Sequence, residues 1–210
     1  MDLSIIIPAY NEEKYIENTL KSITQGEIIV VCNGCTDNTA DIARKYTNKV
    51  LEIPDKGVSK ARNLGASLAS HNRLIFLDAD TKLSHTILNK IANSTYNIGS
   101  SKVRADSERL RDKGYMYIKS FVNKNLSRCS GLIFCDKIIF DKVGGFPEDK
   151  AIREDTFFIF KAKDKGNFIC INDIVYTDMR RYKRLGYLYL IIFWLKEWVL
   201  PSKKDYETIR

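Results

Sequence analysis

Residues 73–81 read RLIFLDADT, an apolar run that leads directly into two carboxylates. Leu74 to Leu77 predicts a buried strand, and Asp78 and Asp80 follow its end. Because residues i and i+2 of an extended chain point the same way, both carboxylates can face one ion. Mg²⁺ and Mn²⁺ favour such oxygen ligands and often share them with substrate phosphates. The plainer alternative is that DADT only starts a turn, where Asp is common.

The chain that precedes Asp78 alternates apolar strands with segments of helical periodicity. This alternation predicts an α/β fold, in which a Rossmann-like, mainly parallel sheet is flanked by helices and joined by right-handed crossovers. In such sheets, ligands bind beyond the carboxyl ends of the strands. The predicted elements are strands at Leu3–Ile7, Glu27–Val31, Val50–Ile53 and Leu74–Leu77 and helices at Glu13–Thr24, Thr39–Tyr46 and Val58–Ser70.

The second half of the chain is less regular. Phe168–Ile171 and Ile174–Thr177 are predicted to pair as strands across Asn172-Asp173, and residues 100–125 are mostly polar and charged. No internal repeat or linker divides the chain, so we predict a single domain over residues 1–210. Further predicted elements are helices at Ser84–Ala92, Tyr115–Lys124, Asp155–Lys165 and Tyr187–Leu200, a strand at Leu132–Cys135 and a loop at Gly144–Pro147.

The composition is that of a soluble globular protein, since 44% of the 210 residues are hydrophobic and 29% are charged. The opening MDLSIII runs straight into a strand, so no signal peptide is expected. The longest apolar run, Tyr187 to Leu195, is short of the roughly 20 residues that span a bilayer. We therefore expect a cytoplasmic location, either free or at the cytoplasmic face of a membrane.

The formal net charge is +8, and basic residues concentrate at 102–124 and 180–184. This pattern fits a solvated basic surface, an anionic substrate or an anionic membrane face. No zinc-finger, RRM or KH signature is present, so a nucleic-acid partner is not expected. Cys32 and Cys35 form a CxxC without a second such pair, so the five cysteines are predicted to be core or loop thiols rather than zinc ligands.

Six sequence blocks stand in an order that resembles family 2 glycosyltransferases with the GT-A fold. They are SIIIPAYNEE, CNGCTDNTADIA, KGVSKARNLGASLA, RLIFLDADT, GGFPE and REDTFFIFKAKDKG, and the resemblance covers about residues 3–182. It implies inverting transfer of a sugar from a UDP- or GDP-linked donor to the hydroxyl of a glycan, a lipid-linked or a small acceptor, with Mg²⁺ or Mn²⁺. Residues 1–80 would bind the nucleotide sugar, 81–182 would hold the acceptor and the catalytic group, and 183–210 would form the closing helix and tail.

The resemblance also assigns residues to the donor. Asn33 would meet the nucleobase edge, where the family more often has Asp. Asp80 would bind the metal, and Asp78 would contact the ribose or the metal. Arg62 and Asn63 would lie near the nucleotide or its phosphates, with a solvated helix face as the alternative. The residues that would line the nucleotide pocket beside these are Pro8, Ala9, Tyr10, Asn11, Glu12 and Ala79.

On the acceptor side the resemblance makes Asp155 the general base. The acceptor hydroxyl must lose its proton as it attacks, and a carboxylate within hydrogen-bond reach can take it. Acids capping a helix N-terminus are the alternative reading of Glu154-Asp155. Gly145, Phe146 and Glu154 would lie beside the acceptor.

The segment after the last predicted strand carries further candidates. Arg180 and Arg181 would touch the diphosphate, and a solvated basic turn is the alternative. Some relatives have a histidine metal ligand in this region. His71 and His85 do not match that position, and Asp178 is the substitute available.

The closing helix has apolar residues on one side and adds aromatic area with Lys196 and other lysines at its flanks. It can pack onto the domain, lie on a membrane surface or mediate oligomerisation. The apolar and aromatic residues of this helix are Tyr187, Leu188, Tyr189, Ile191, Ile192, Phe193, Trp194, Leu195, Trp198 and Val199.

Two other functions are possible for the chain as a whole. A sugar-phosphate nucleotidyltransferase is the rival enzyme, but PAYNEE lacks the glycines of its phosphate loop. A non-catalytic sugar-nucleotide-binding protein is the rival from another class.

Overall fold

The computed structural model describes residues 2–125, 131–150 and 152–199. Within these ranges, eight strands form one sheet, and nine helices cover its two faces. The strands are β1 (Leu3–Ala9), β2 (Glu27–Asn33), β3 (Val50–Ile53), β4 (Arg73–Leu77), β5 (Thr81–Leu83), β6 (Ile98–Ala105), β7 (Leu132–Asp136) and β8 (Phe168–Thr177). The helices are α1 (Ile16–Lys21), α2 (Thr39–Arg44), α3 (Val58–Ser67), α4 (Ile87–Ala92), α5 (Leu110–Asn125), α6 (Lys137–Val143), α7 (Glu154–Lys163), α8 (Arg180–Leu185) and α9 (Tyr187–Val199).

The sheet runs in the order β3-β2-β1-β4-β7-β6-β8-β5. The first four strands pair in parallel, which confirms the α/β fold predicted for the first half of the chain. All seven residues of β1 are buried because helices cover both faces of this central strand. Because β1, β2 and β4 run in parallel, their carboxyl ends meet at one edge, as the predicted ligand site requires.

The second half of the sheet is mixed. β7 runs antiparallel to both β4 and β6, and β5 runs antiparallel to β8, while β6 and β8 are parallel. β6 lies within the stretch for which no strand was predicted. Its buried residues include Gly99, Ser100 and Ser101, which lack the large apolar side chains of a usual strand pattern. A Cβ on Gly99 would lie 2.4 Å from the Phe134 ring, so glycine is needed for this close packing.

The predicted pairing across Asn172-Asp173 is wrong, because β8 is a single strand that continues through these residues. The register with β6 shifts there: Ser101 is opposite Ile171, whereas Lys102 is opposite Ile174. The Asp173 carboxylate is held by the Ser84 and Thr86 hydroxyls, at 2.5 and 2.6 Å. The polar pair that resembled a turn is therefore a bulge in a continuous strand.

Helix α3 lies unusually close to β1. A Cβ on Gly65 would lie 2.3 Å from Cγ2 of Ile6, so no larger residue fits between this helix and the strand without rearrangement. Arg62 precedes Gly65 by three residues, about one helical turn, and is 7% exposed. The close packing therefore brings a buried arginine toward the edge of the sheet where the ligand site is predicted.

The basic segment after β8 forms helix α8, not the solvated turn considered above. In α9, Leu190 is buried in the core and Leu188 is 69% exposed, so the helix packs on the domain by one side only. The side chains of Trp194 and Trp198 lie outside the described part of the structure. Among the described residues, no helix is long and apolar enough to cross a membrane.

Glu27 provides a test of how the strand ends are stabilised. Burial alone would raise the pKa of Glu27, but hydrogen bonds from Lys49, Ser4 and Ser70 outweigh it and lower the pKa from 4.5 to about 2. The ionised form thus stabilises the fold above pH about 4.5, and this stabilisation is lost as the pH falls toward 2. We predict that Glu27→Gln costs about 1–3 kcal/mol at pH 7 and much less at pH 3 in urea unfolding.

The matched control is Glu108→Gln, because the Glu108 side chain is fully exposed and pairs only with Lys113 at 2.8 Å among the contacts described. It should leave the unfolding free energy nearly unchanged at both pH values. An equal loss for Glu27→Gln at pH 7 and pH 3 would contradict the assigned ionisation.

Candidate functional site

Two arginines organise the carboxylates at the carboxyl edge of the sheet. The first is Arg180, at the start of α8. Its Nη2 donates to Oε1 of Glu12 at 2.5 Å and to Oδ2 of Asp80 at 3.2 Å, and its guanidinium lies 4.1 Å from the centre of the Tyr15 ring. Arg180 therefore contacts Asp80, a predicted metal ligand, and Glu12, a residue of the predicted nucleotide pocket. Arg181 follows it along the chain and is partly buried.

The second is Arg62, whose side chain is 8% exposed. Its Nη2 donates to Oδ1 of Asp78 and its Nη1 to Oε1 of Glu154, both at 2.9 Å. These hydrogen bonds connect residues 16 and 92 positions away along the chain. The guanidinium also lies 5.0 Å from the centre of the Phe146 ring. Arg62 thus joins Asp78 of the first half to Glu154 of the second half.

The two arginines do not fully offset the burial and mutual repulsion of the carboxylates at this edge. Burial, reinforced by the negative charge of Asp78, raises the pKa of Asp80 from 3.8 to about 6 despite Arg180. Burial and the neighbouring charge of Asp155 likewise raise the pKa of Glu154. A bound cation would relieve this repulsion, and the donor atoms available are carboxylate oxygens, which suit Mg²⁺ and Mn²⁺.

The described residues contain no cluster of three or more His, Cys, Asp or Glu side chains arranged to hold a metal. Asp78 and Asp80 nevertheless fit a divalent ion of the kind that takes one or two protein carboxylates and completes its shell with phosphate oxygens and water. Asp178, considered as a further ligand, instead accepts the Arg180 backbone N–H at 2.7 Å. His71 lies near Asp2, at the opposite end of β1.

Asn33 has a structural position at the end of β2. It is 2% exposed, its Nδ2 donates to the Ala9 carbonyl at 2.9 Å, and its Oδ1 accepts the Gly57 N–H at 3.3 Å. The amide therefore ties the end of β1 to the start of α3, a role that the sequence did not indicate. Its predicted contact with a nucleobase stays a prediction.

A groove of about 280 Å³ opens beside Asn33. Neither cysteine of the CxxC in this groove forms a disulfide, and Cys35 Sγ donates to the Ala9 carbonyl at 3.3 Å. For these two residues this agrees with the prediction of loop and core thiols, whereas Cys129 lies outside the described residues. The groove lies where the ends of β2 and β3 meet the following loops, and it is lined by Cys32, Gly34, Cys35, Thr36, Glu52, Ile53 and Pro54.

The segment after β1 is held by the neighbouring loop. The Lys56 ammonium lies 4.6 Å from the centre of the Tyr10 ring, and Asn11 Oδ1 accepts the Thr36 N–H at 2.8 Å. Ala9 and Pro8 are buried strand residues. Ala79 is buried as well, and its carbonyl accepts the Thr19 hydroxyl at 2.8 Å. Thr19 thereby holds the backbone between the two aspartates, and no sequence motif pointed to it.

Asn63 and Phe146 contact each other. Asn63 Nδ2 donates to the Phe146 carbonyl at 2.9 Å, and its Oδ1 accepts the Phe146 N–H at 2.8 Å, so the amide holds the GGFPE loop. Their predicted positions beside the phosphates and the acceptor stay predictions. Phe146 is 1% exposed and packs on Phe158 with a centroid separation of 4.3 Å, which makes it a core residue. Gly145 has φ 74°, and a Cβ there would lie 2.7 Å from Asn63 Oδ1.

Asp155 lies in the first turn of α7, partly buried, where its Oδ1 accepts the Thr156 N–H at 2.6 Å. Arg153 precedes the acid pair at φ 64°, and Asn11 precedes Glu12 at φ 53°. Among the described residues, these are the two non-glycine positions with positive φ. Strained backbone of this kind concentrates at functional sites, and here each case adjoins a site carboxylate.

The chain belongs to glycosyl transferase family 2, whose family model matches residues 4–138. The 4,4'-diaponeurosporenoate glycosyltransferase of Staphylococcus aureus is 37% identical over 129 residues. This match covers 57% of the present chain and 33% of the relative, so the chain spans about a third of the length of that protein. The family match ends before Glu154 and Asp155, so their roles remain proposals.

Solved structures confirm the predicted GT-A fold. TarS residues 1–349 of S. aureus, in complex with UDP, superposes with a TM-score of 0.69 and 22% identity over 85% of this chain and 60% of that one. The mannosyltransferase PcManGT of Pyrobaculum calidifontis, in complex with GDP-Man and Mn²⁺, superposes with a TM-score of 0.67 and 20% identity, over 97% of this chain and 65% of that one. At such identities the likeness establishes the fold.

Arg62 can be tested as the connection between the two halves. Arg62→Met leaves Glu154, whose side chain is 13% exposed, without its partner, so we predict a loss of about 3 kcal/mol in urea unfolding. Adding Glu154→Gln to Arg62→Met should recover at least about 1 kcal/mol, because the uncompensated charge is removed.

Arg44→Met is the control, since Arg44 also pairs with two carboxylates but is 48% exposed. Its loss should stay below about 1 kcal/mol. Equal losses for the Arg62 and Arg44 variants would show that burial of the Arg62 pair adds nothing.

Proposed function

We propose that this chain transfers a glycosyl group from a nucleotide-sugar donor to an acceptor hydroxyl with inversion at the anomeric carbon. The observation that carries the proposal is the buried Arg62, which holds strand-end Asp78 and Glu154 in one site. Family membership supports it, as do solved relatives in complex with UDP, UDP-GlcNAc and GDP-Man. A UDP- or GDP-linked donor is the corresponding expectation for this chain.

The donor would lie over the carboxyl ends of β1, β2 and β4. Asp80 and Asp78 would hold Mg²⁺ or Mn²⁺, which would supply positive charge to offset the charge on the diphosphate as it leaves. Arg180, and Arg181 beside it, would donate hydrogen bonds to the diphosphate, for which the planar guanidinium is suited. The groove beside Asn33 would accommodate the nucleoside.

The acceptor would be bound on the side of Glu154 and Asp155. Asp155 would take the proton of the acceptor hydroxyl while its oxygen bonds to the anomeric carbon. The bond from that carbon to the diphosphate oxygen breaks in the same step, and the nucleoside diphosphate leaves. Attack opposite the leaving group inverts the configuration. Glu154 would position Asp155 through its hydrogen bond to Arg62.

A panel of UDP- and GDP-sugars with Mn²⁺ or Mg²⁺ tests the reaction class. Ligands that bind the native state raise its melting temperature, so a thermal-shift screen selects donors for turnover assays. A glycosyltransferase releases a nucleoside diphosphate, whereas a nucleotidyltransferase consumes or releases inorganic diphosphate. Binding without any turnover across acceptor classes would instead favour a sugar-nucleotide-binding protein.

Asp80→Asn should weaken nucleoside diphosphate binding in the presence of Mn²⁺ by at least about tenfold, because it removes an anionic ligand. Calorimetry with and without a chelator measures the effect. Asp41→Asn is the control, since that carboxylate is 74% exposed on α2. If chelator leaves wild-type transfer intact, the metal assignment fails.

Asp155→Asn keeps the side-chain shape but cannot accept the proton, so turnover should fall by roughly 10²- to 10⁴-fold. Donor affinity should persist, because Asp78 and Asp80 are untouched. Single-turnover transfer measured beside donor affinity separates the two effects. Asp164→Asn, on exposed residue 164 just beyond α7, is the control. Near-normal transfer by Asp155→Asn would assign the base role to another carboxylate.

A further inference from the structure

Helices α5 and α9 present apolar side chains to solvent. In α5 the buried residues Asp112, Met116 and Ser120 recur at helical spacing and mark the side that faces the domain. The opposite side is apolar rather than polar, which is unusual for a surface helix. Its exposed fractions are 61% for Tyr117, 65% for Ile118 and 64% for Phe121, and those of α9 are 69% for Leu188, 53% for Tyr189 and 56% for Ile192.

The two helices meet on the same face of the sheet. The Tyr187 hydroxyl, at the start of α9, donates to Oδ1 of Asp112 in α5. The Tyr187 ring also packs on Tyr115 with a centroid separation of 5.1 Å, and the Arg111 guanidinium lies 4.8 Å from its centre. Tyr115 and Tyr187 both pack on the core cluster that contains Met116 and Leu190. The exposed apolar sides of α5 and α9 therefore belong to neighbouring helices; together they are called the outer apolar surface.

This surface lies among the positive charge of the chain. Residues 110–125 and 180–199 contain nine basic and two acidic residues, a net charge of +7 out of +8 for the whole chain. One of the two acids, Asp112, is completely buried and bonded to Tyr187. Arg111 and Lys113 are 65% and 49% exposed, and Lys183 and Lys196 are exposed as well. Solvent at this face thus meets apolar and cationic groups.

We propose that the outer apolar surface docks this chain onto an anionic lipid bilayer. Apolar side chains enter the interface between headgroups and acyl chains, while lysines and arginines at the same level pair with the lipid phosphates. A second copy of the chain fits poorly as the occupant, because two faces that both carry exposed lysines and arginines repel each other. An anionic bilayer supplies both the apolar phase and the opposite charge.

The docked surface continues directly from the candidate site. Arg180 begins α8, where it contacts Glu12 and Asp80, and Gly186 alone separates α8 from α9. The helix that would contact the bilayer therefore follows, within a few residues of the chain, the arginine that holds those carboxylates. The docking proposal stands on the surface itself and does not depend on the proposed sugar transfer.

Vesicle co-sedimentation of the full chain tests the proposal. The probes are vesicles of phosphatidylcholine alone and vesicles with about one third phosphatidylglycerol, which carry the negative surface charge. We expect binding to the anionic vesicles at about 0.1 M salt and at least a roughly fivefold lower bound fraction at about 1 M, where the Debye length shrinks from about 10 Å to about 3 Å. Absence of binding to anionic vesicles at low salt would overturn the proposal.

Paired substitutions locate the contact. Ile118→Ser with Phe121→Ser, and Leu188→Ser with Ile192→Ser, should each lower the affinity for anionic vesicles by about tenfold, since they remove apolar area that enters the interface. The control pair is Ile138→Ser with Phe160→Ser, on α6 and α7, which pack on the other core cluster. These side chains are 60% and 71% exposed, which matches the test pairs, and their replacement should leave vesicle binding unchanged.

Because all six side chains are largely exposed, the variants should keep the wild-type melting temperature, which is measured in parallel. If the control pair weakens binding as much as the test pairs, the contact is not at this surface and the proposal fails. It also fails if the chain forms a dimer without lipid that both test pairs abolish, since the surface would then be an interface between copies.

Discussion

The buried guanidinium of Arg62 is the constraint on which the site depends. A charge removed from water must be paired and hydrogen-bonded, and Arg62 meets this condition with one carboxylate from each half of the chain. The requirement extends into the core, because Gly65, three residues after Arg62, lets α3 pack closely against β1. The packing of a helix on a strand and the geometry of the site are therefore one structural feature.

The charges around Arg62 include both signs, which suits the ligand of the proposed function. Arg62 and Arg180 pair with Asp78, Glu154, Glu12 and Asp80, and the pKa of Asp80 is still raised to about 6 by burial and by Asp78. A divalent cation would offset the negative charge of the carboxylates, while a diphosphate would provide hydrogen-bond acceptors for Arg180. Under the proposed function, donor binding would exchange contacts within the protein for contacts with the metal and the phosphates.

The sequence predicted best where a local pattern determines the structure. Strands β1, β2 and β4 are built on apolar runs, and DADT directly follows β4, so the parallel half and the first acidic pair could be identified from local pattern. Glu154 and Asp155 were identified only through the resemblance of their segment to the family motif. Strand β6 was not predicted, because Gly99, Ser100 and Ser101 are buried through close packing rather than through apolar side chains. The Arg62 bridge spans 92 residues, and the grip of Asn63 on the GGFPE loop spans 83, distances over which no spacing rule operates. Such contacts are determined by tertiary packing.

The antiparallel pairing of β4 with β7 has a consequence for how the chain reaches its native state. β1 and β2 are linked by a short crossover, but Leu74 pairs with Cys135 and Ser100 with Cys170, so the centre of the sheet joins segments about 60 to 70 residues apart. Closing such loops is costly before any contact compensates, and chains dominated by distant pairings fold slowly. The parallel strands of the first half can assemble while β7 is still unpaired, which exposes the β4 edge as a template for intermolecular pairing during refolding.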